Sequence, residues 1–220
     1  MKFLVTLLIF WVTSFAQAYV VPTYRDIKPA SQVMIERQDF GTPIAATTAS
    51  IKSAFAGPTS AAVVTLTTFL AQPDVPRNLE ILPAGTTADV EACVVVVSGT
   101  NYLNALISEN FTFIANQSTA VVGAKAFKTI TSVVWPANCE SGGFAATWSI
   151  GVGEKIGIKR CMDFAGDWFQ SEVAGVYEST RATVVVSASA VESNTADFNG
   201  TMTGSAKFFG YFVQNFACLP

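Results

Sequence analysis

Acidic side chains are the residues of this sequence best suited to chemistry. The chain contains no histidine, which excludes Ser-His and Cys-His nucleophile pairs and the usual imidazole ligands of zinc. A hydrolase built on carboxylates would have to bring two of Glu109, Asp163 and Asp167 within roughly 5 to 10 Å of each other across a cleft. The sequence positions no second acid beside Glu109. We therefore predict that the protein is not an enzyme and has no catalytic residues, metal site or cofactor.

Glu109 has an unusual position in a predicted strand. Residues 106–114 alternate between apolar and polar side chains, and Glu109 falls on the apolar face together with Phe111. A buried carboxylate needs a partner, for which Arg77 and Lys128 are the candidates. We interpret Glu109 as half of a core ion pair rather than as a catalytic acid with a raised pKa.

Two other motifs look like ligand loops but lack the required spacing. Gly151-Val-Gly-Glu-Lys-Ile-Gly157 does not match the dinucleotide fingerprint, and no helix follows it. We interpret these glycines as turn residues of a hairpin that joins residues 144–152 to 156–161. Asp163 and Asp167 lack the ligand spacing of a calcium loop.

The four cysteines predict disulfide bonds. They are Cys93, Cys139, Cys161 and Cys218, and no two of them form a Cys-x-x-Cys motif. An even set is typical of two bridges formed in an oxidising compartment. Of the three connectivities we favour Cys93 with Cys139 and Cys161 with Cys218. The alternative is that some of them are buried thiols.

The N-terminus resembles a secretory signal. Residues 1–18 have a basic start, an apolar run and an Ala-Gln-Ala ending, which predicts cleavage after Ala18 and secretion. The run is shorter than the about 20 residues that span a bilayer, so we expect no stable membrane span. An assembly or anchoring segment, or translation from Met34, would also account for it.

Composition limits the classes of partner. Half of the residues are apolar, 13% are charged and the formal net charge is −3. Without a basic cluster, nucleic-acid binding is disfavoured. A surface so poor in charge must be covered by Ser, Thr, Asn and Gly or by neighbouring subunits, so we expect a homo-oligomer that contacts other proteins.

Apolar runs that alternate with turn residues predict an all-β protein. We expect an antiparallel β-sandwich or barrel-like core domain over 63–161 and a C-terminal β extension over 162–220 that packs on it. Residues 90–97 are predicted to form a buried strand, because residues 93–97 are apolar on both faces. Before the core, residues 19–62 read as an extended N-terminal arm or linker, with short helical stretches at 31–37 and 51–55.

A rigid corner is predicted over residues 72–78. Pro73 and Pro76 fix their backbone torsion angles and favour extended residues before them. Asp74 can accept hydrogen bonds from the backbone of the turn, while Arg77 can fork to a carboxylate or to carbonyl oxygens. We interpret the corner as structural.

An ordered set of motifs resembles a known family. The set runs Pro73-Asp-Val-Pro-Arg-Asn78, Ala84-Gly-Thr-Thr-Ala-Asp-Val90, Ser98-Gly-Thr-Asn101, Ile107-Ser-Glu109, Gly123-Ala-Lys-Ala-Phe-Lys-Thr129 and Gly151-Val-Gly-Glu-Lys-Ile-Gly-Ile158. In this order it resembles a family of tailed-bacteriophage virion structural proteins, over about residues 64 to 160. The resemblance implies a β-rich particle component, decorating the capsid or associated with the tail, and supplies no catalytic residues.

The leading hypothesis is therefore a virion protein, most simply a capsid decoration or cement protein that acts through contacts with other capsid or tail subunits. One alternative is a secreted, disulfide-bonded β-sandwich that binds a cell-surface receptor or polysaccharide. A tail or fibre component is the other alternative.

Overall fold

The computed structural model describes residues 35–58, 62–141, 143 and 145–213. All of them belong to one compact unit. Predictions that concern residues 1–34 or 214–220, including the leader and Cys218, lie outside the described residues. Within the described part of the chain, no helix is long and apolar enough to cross a membrane.

Strands and three short 3-10 helices make up the regular structure of the described residues. The strands are β1 (Ile35–Asp39), β2 (Thr47–Ala56), β3 (Val64–Leu66), β4 (Arg77–Gly85), β5 (Cys93–Thr100), β6 (Leu106–Phe113), β7 (Val121–Val122), β8 (Thr129–Trp135), β9 (Ala146–Gly157), β10 (Trp168–Val173), β11 (Val176–Tyr177), β12 (Thr183–Val185), β13 (Thr195–Asp197) and β14 (Phe208–Val213). The 3-10 helices are Thr87–Asp89, Ala165–Asp167 and Val191–Ser193. The predicted all-β class is confirmed.

The strands form three sheets in which every pairing is antiparallel. Sheet A has the order β1-β14-β10-β11, and sheet C has the order β3-β8-β5-β6. Sheet B has the order β12-β13-β9-β4-β7, and β2 also pairs with β9. The result is a β-sandwich with the barrel-like character expected from the sequence.

The first hydrophobic core lies between sheets B and C. Period-2 alternation turns the apolar side chains of both sheets inward. Trp135 from β8 and Trp148 from β9 pack edge to face there with ring centroids 6.1 Å apart, and Phe113 from β6 packs against Trp148 at 5.0 Å.

A second core lies under sheet A. Trp168 from β10 stacks on Phe212 from β14, with ring centroids 5.8 Å apart and an interplanar angle of 9°. Strand β9 supplies Ile150 to the first core and Ile156 to the second. The change from one core to the other therefore occurs within β9, upstream of the predicted boundary at residue 161.

The hairpin predicted over 144–161 is wrong, because strand β9 occupies most of this range. Ala146–Gly157 is one continuous strand, and no turn occurs at 153–155. Its glycines are needed for close packing rather than for turning. A Cβ on Gly151 would collide with the backbone of Thr47, and one on Gly153 would collide with the side chain of Asn78.

The N-terminal region is more ordered than its composition indicates. Residues 47–56 are not a linker, because they form strand β2, which pairs with β9 and fully buries Ile51. The helical turn predicted at 51–55 is wrong for the same reason. Part of the helix predicted at 31–37 is strand β1, which pairs with β14, while residues 31–34 lie outside the described part.

Candidate functional site

Strand β5 is apolar on both faces, but the described residues cover only one of them. Val95 and Val97 are fully buried in the first core. On the opposite face, Val94 is 40% exposed and Val96 is half-buried. The prediction of a strand buried on both sides is therefore wrong for the single chain, and an apolar strip of β5 faces outward.

This strip is the centre of a larger uncharged surface, which we call the neutral face. The neutral face consists of the outward residues of sheet C: Thr65 from β3, Ser132 and Val134 from β8, Val94, Val96, Ser98 and Thr100 from β5, and Leu106, Ser108, Asn110 and Thr112 from β6. Each of these positions carries an apolar or a neutral polar side chain. Leu106 is 84% exposed.

Strand register brings these residues side by side. Val96 lies opposite Asn110 on one neighbour and opposite Val134 on the other, and Ser98 lies opposite Ser108 and Ser132 in the same way. Apart from Leu106 and Asn110, the side chains are short or β-branched, so they form a flat surface with few rotamers to immobilise on binding. Such a surface can contact another protein over its whole width.

Glu109 lies beside the neutral face, at the outer edge of β6, and faces inward. Its Oε1 accepts hydrogen bonds from the backbone N–H of Ala124 at 2.6 Å and of Lys125 at 3.2 Å. Nζ of Lys125 donates to the carbonyl oxygen of Ser108 at 2.9 Å. Burial raises the pKa of Glu109, and these backbone hydrogen bonds oppose the rise.

The predicted ion-pair partners of Glu109 are engaged elsewhere. Arg77 is bound at the corner described below, and Nζ of Lys128 donates to Oδ1 of Asn104 at 2.8 Å. Backbone N–H groups can take the place of a cation beside a half-buried carboxylate, and the prediction of an ion pair for Glu109 did not consider them. An inward charge and a lysine at an edge strand are devices that prevent edge-to-edge pairing.

No protein-family model, curated protein or solved structure matches this chain.

The corner at 72–78 ties four segments together. Arg77 is fully buried and donates from Nη1 to the carbonyl oxygen of Ile44 at 2.9 Å and to Oδ1 of Asp74 at 3.2 Å. Its Nε donates to the carbonyl oxygen of Gly153 at 2.8 Å, and Nη2 contacts Sδ of Met202 at 3.5 Å. Burial lowers the pKa of Arg77, while Asp74 raises it. With the guanidinium inside the protein, the corner offers no open cation for a ligand.

Pro73 and Pro76 shape this corner as the backbone restrictions of proline require. Pro73 is buried, and the carbonyl oxygen of Pro76 accepts the N–H of Gly157 at 2.7 Å. Next to Pro73, the side chain of Gln72 pairs with the backbone of Ile130 through Oε1 at 2.6 Å and Nε2 at 3.2 Å. The corner thus connects sheets B and C.

The disulfide between Cys93 and Cys139 is present, as predicted. It joins the start of β5 to the loop after β8, with a Cα–Cα distance of 5.2 Å. Cys161 is fully buried and is not a free thiol. Its predicted partner, Cys218, lies outside the described residues, so that pairing stays a prediction.

The acids considered for hydrolysis belong to different elements. Glu109 lies on β6 of sheet C, while Asp163 precedes and Asp167 ends the 3-10 helix that leads into β10 of sheet A. Oδ2 of Asp167 accepts the N–H of Phe164 at 3.2 Å, so the role of Asp167 is to cap the start of this 3-10 helix. Among the described residues, no three His, Cys, Asp or Glu side chains group closely enough to hold a metal ion.

A second surface feature lies on the outer face of sheet A. The ring of Tyr177, 62% exposed, packs against that of Tyr211 at 5.9 Å. The guanidinium of Arg37 lies 3.6 Å from the ring centroid of Phe209 and forms an ion pair with Glu172. The hydrogen bond to Glu172 raises the pKa of Tyr211 to about 12. The sequence does not show this arrangement, because only the register of β1, β14, β10 and β11 creates it.

Glu140 is a buried acid that the sequence did not reveal. It is 4% exposed, and its Oε1 accepts the indole N–H of Trp148 at 2.6 Å. Its Oε2 and the indole nitrogen of Trp135 are buried, and neither has a hydrogen-bond partner among the residues that the structure describes. Burial raises the pKa of Glu140. In the sequence, the one feature that could have indicated its burial is its position next to Cys139.

Proposed function

We propose that this protein is a structural component of a bacteriophage particle, most simply a capsid decoration protein that acts through protein–protein contacts. The observation that carries the proposal is the neutral face. A strand that is apolar on both faces needs cover on both, and the described residues of one chain supply cover on one only. A subunit embedded in an assembly obtains the second layer from its neighbours.

The low charge of the chain supports the same proposal. Interface centres are depleted in charged residues relative to the rest of a protein surface. The order of motifs that resembles virion proteins ends at Ile158 and includes Ser98 of the neutral face. Affinity would come from β-branched and apolar contacts over a wide, rigid surface rather than from ion pairs.

Mass spectrometry of particles purified from the native source tests the proposal. We expect the chain in a density-gradient band of intact particles, in a stoichiometric ratio to the major shell protein. Separated heads and tails then distinguish a capsid protein from a tail or fibre component. Recovery of the chain only from the medium, free of particles, would contradict the proposal.

The second candidate is a secreted β-sandwich that binds a cell-surface receptor or polysaccharide. The aromatic residues on sheet A favour it, because the exposed Tyr177 beside Arg37 and Glu172 combines a stacking ring with charged hydrogen-bonding groups. The Cys93–Cys139 disulfide suits an oxidising compartment. Binding to intact cells that is lost in Tyr177→Ala, with Val94→Lys as the control on the opposite candidate surface, would favour this function over the first.

A further inference from the structure

We infer that the neutral face packs against the neutral face of a second copy of this chain, so that the unit of assembly is a symmetric dimer. The inference rests on the proposed function and deepens it, because it names the partner at the surface that carries the proposal.

Charge is the first argument for a second copy as the partner. The chain has a formal net charge of −3, so two copies repel each other at long range. In a two-fold symmetric contact the same patch is used twice, and a charge close to the axis meets its own copy. The neutral face brings no charge to such an axis. The outer face of sheet A, by contrast, would bring Arg37 and Glu172.

The size of the face suits a weak, reversible contact. Four strands about 4.8 Å apart, of which β3 has three residues and the others have seven or eight, cover about 420 Å² per copy at about 3.4 Å per residue. Two copies would bury about 850 Å² in total, which is below the about 1,200 Å² of stable interfaces and in the range of transient ones. We therefore expect a dissociation constant in the micromolar range, which repeated contacts in an assembly would strengthen.

The protected edge of β6 decides how the two copies meet. Pairing of β6 with β6 of a second copy would require free backbone groups along the outer edge of the strand. At this edge Nζ of Lys125 already donates to the carbonyl oxygen of Ser108, and the inward-facing carboxylate of Glu109 lies beside it. Contact through the face meets no such obstacle. Two sheets that pack face to face lie about 10 Å apart, a spacing that the short side chains of Val96, Ser98 and Ser132 allow.

Sedimentation velocity of the full chain over the micromolar range is the test, with Val94→Lys as the disrupting variant. The matched control is Val185→Lys on β12, which makes the same substitution at a residue of similar exposure, 49% against 40%. Both variants reduce the net negative charge by one, so general repulsion changes equally in the two. We expect wild type and Val185→Lys to dimerise and Val94→Lys to dimerise at least tenfold more weakly.

A second variant keeps the test valid if Val94→Lys does not fold. Thr112 is exposed, lies opposite Val94 on β6 and belongs to the same face, so Thr112→Lys should also weaken the dimer. A wild type that stays monomeric overturns the inference. A dimer that both Val94→Lys and Thr112→Lys leave intact, or that Val185→Lys weakens as much, overturns it as well.

Particle analysis separates this inference from the proposed function. If the chain is found in particles but is a monomer in solution and loses particle attachment in Val94→Lys, the neutral face binds a different virion protein and only the inference fails. If the dimer forms as expected but the chain is absent from particles, the inference holds and the virion function fails.

Discussion

The guanidinium of Arg77 donates hydrogen bonds from both Nε and Nη2 to the carbonyl oxygen of Gly153, in the middle of β9. The same side chain reaches Ile44 and Asp74, so one residue fastens the corner at 72–78 to the longest strand of the fold. Because the groups are buried, their loss should be costly.

Replacing Arg77 with Met should lower the free energy of unfolding by about 3–5 kcal/mol, since it removes the cation beside Asp74 and the side-chain donor to the carbonyl oxygens of Ile44 and Gly153. Urea denaturation followed by tryptophan fluorescence measures the change. Arg160→Met is the control, because Arg160 forms a partly exposed ion pair with Glu36 and should lose no more than about 1 kcal/mol. Similar losses in the two variants would show that the buried fork is not important for stability.

Glu140 should make the protein less stable as the pH rises. Burial raises the pKa of Glu140 above its usual 4.5, so the folded state holds a proton that the unfolded state has already released. The free energy of unfolding therefore falls as the pH rises from 4.5 to the raised pKa. Burial raises the pKa of Glu109 in the same direction.

Glu140→Gln should flatten this slope, because the amide cannot ionise and its oxygen can still accept the indole N–H of Trp148. Urea titrations at a series of pH values from 4.5 to neutrality compare the variant with wild type. Asp163→Asn, which removes an exposed carboxylate, controls for net charge. An unchanged slope in Glu140→Gln would assign the pH dependence to other groups.

The Cys93–Cys139 disulfide should contribute about 4 kcal/mol to stability, because it closes a loop with a sequence separation of 46 residues. The double variant Cys93→Ala/Cys139→Ala removes it and should unfold at a correspondingly lower urea concentration. Peptide mapping without reduction checks the pairing directly. A peptide that joins Cys93 to a cysteine other than Cys139 would refute the connectivity.

Gly151 should tolerate no side chain, whereas Gly166 should accept one. A Cβ on Gly151 would meet the backbone of Thr47 in β2, while a Cβ on Gly166 would meet no atom within 4 Å. We expect Gly151→Ala to cost about 1–3 kcal/mol, by overpacking or by separating β2 from β9, and Gly166→Ala to change stability by less than about 0.5 kcal/mol. Thermal melts of the two variants make the comparison, and equal melting temperatures would contradict the close approach of β2.

Local patterns were sufficient where one face of a strand is apolar and the other polar. Strand β6 follows this rule, and the sequence placed Phe111 and Glu109 on its inner side. The patterns failed at β2, where Ala, Ser and Thr dominate, Ile51 is the one fully buried residue and Phe55 packs against the core. Pairing with β9, rather than propensity, makes β2 a strand. The turn predicted at the glycines of β9 is wrong for a related reason. These glycines lie within a strand, where neighbouring segments approach too closely for a side chain.

The candidate site was only half predictable. The sequence showed that β5 is apolar on both faces, but it did not show that one of them is left open. Glu140 and Trp148 are eight positions apart, and their hydrogen bond depends on the position of β9 beside the loop after β8.

By itself the sequence determined the all-β class and the absence of histidine chemistry, since alternation and composition are local properties that need no knowledge of neighbours. It favoured the pairing of Cys93 with Cys139 among three connectivities, and the tertiary structure shows that bridge. The tertiary structure decided which side of β5 is inside. Val94 and Val95 are identical in chemistry, and only the pairing of β5 with β6 and β8 over the first core buries one and exposes the other.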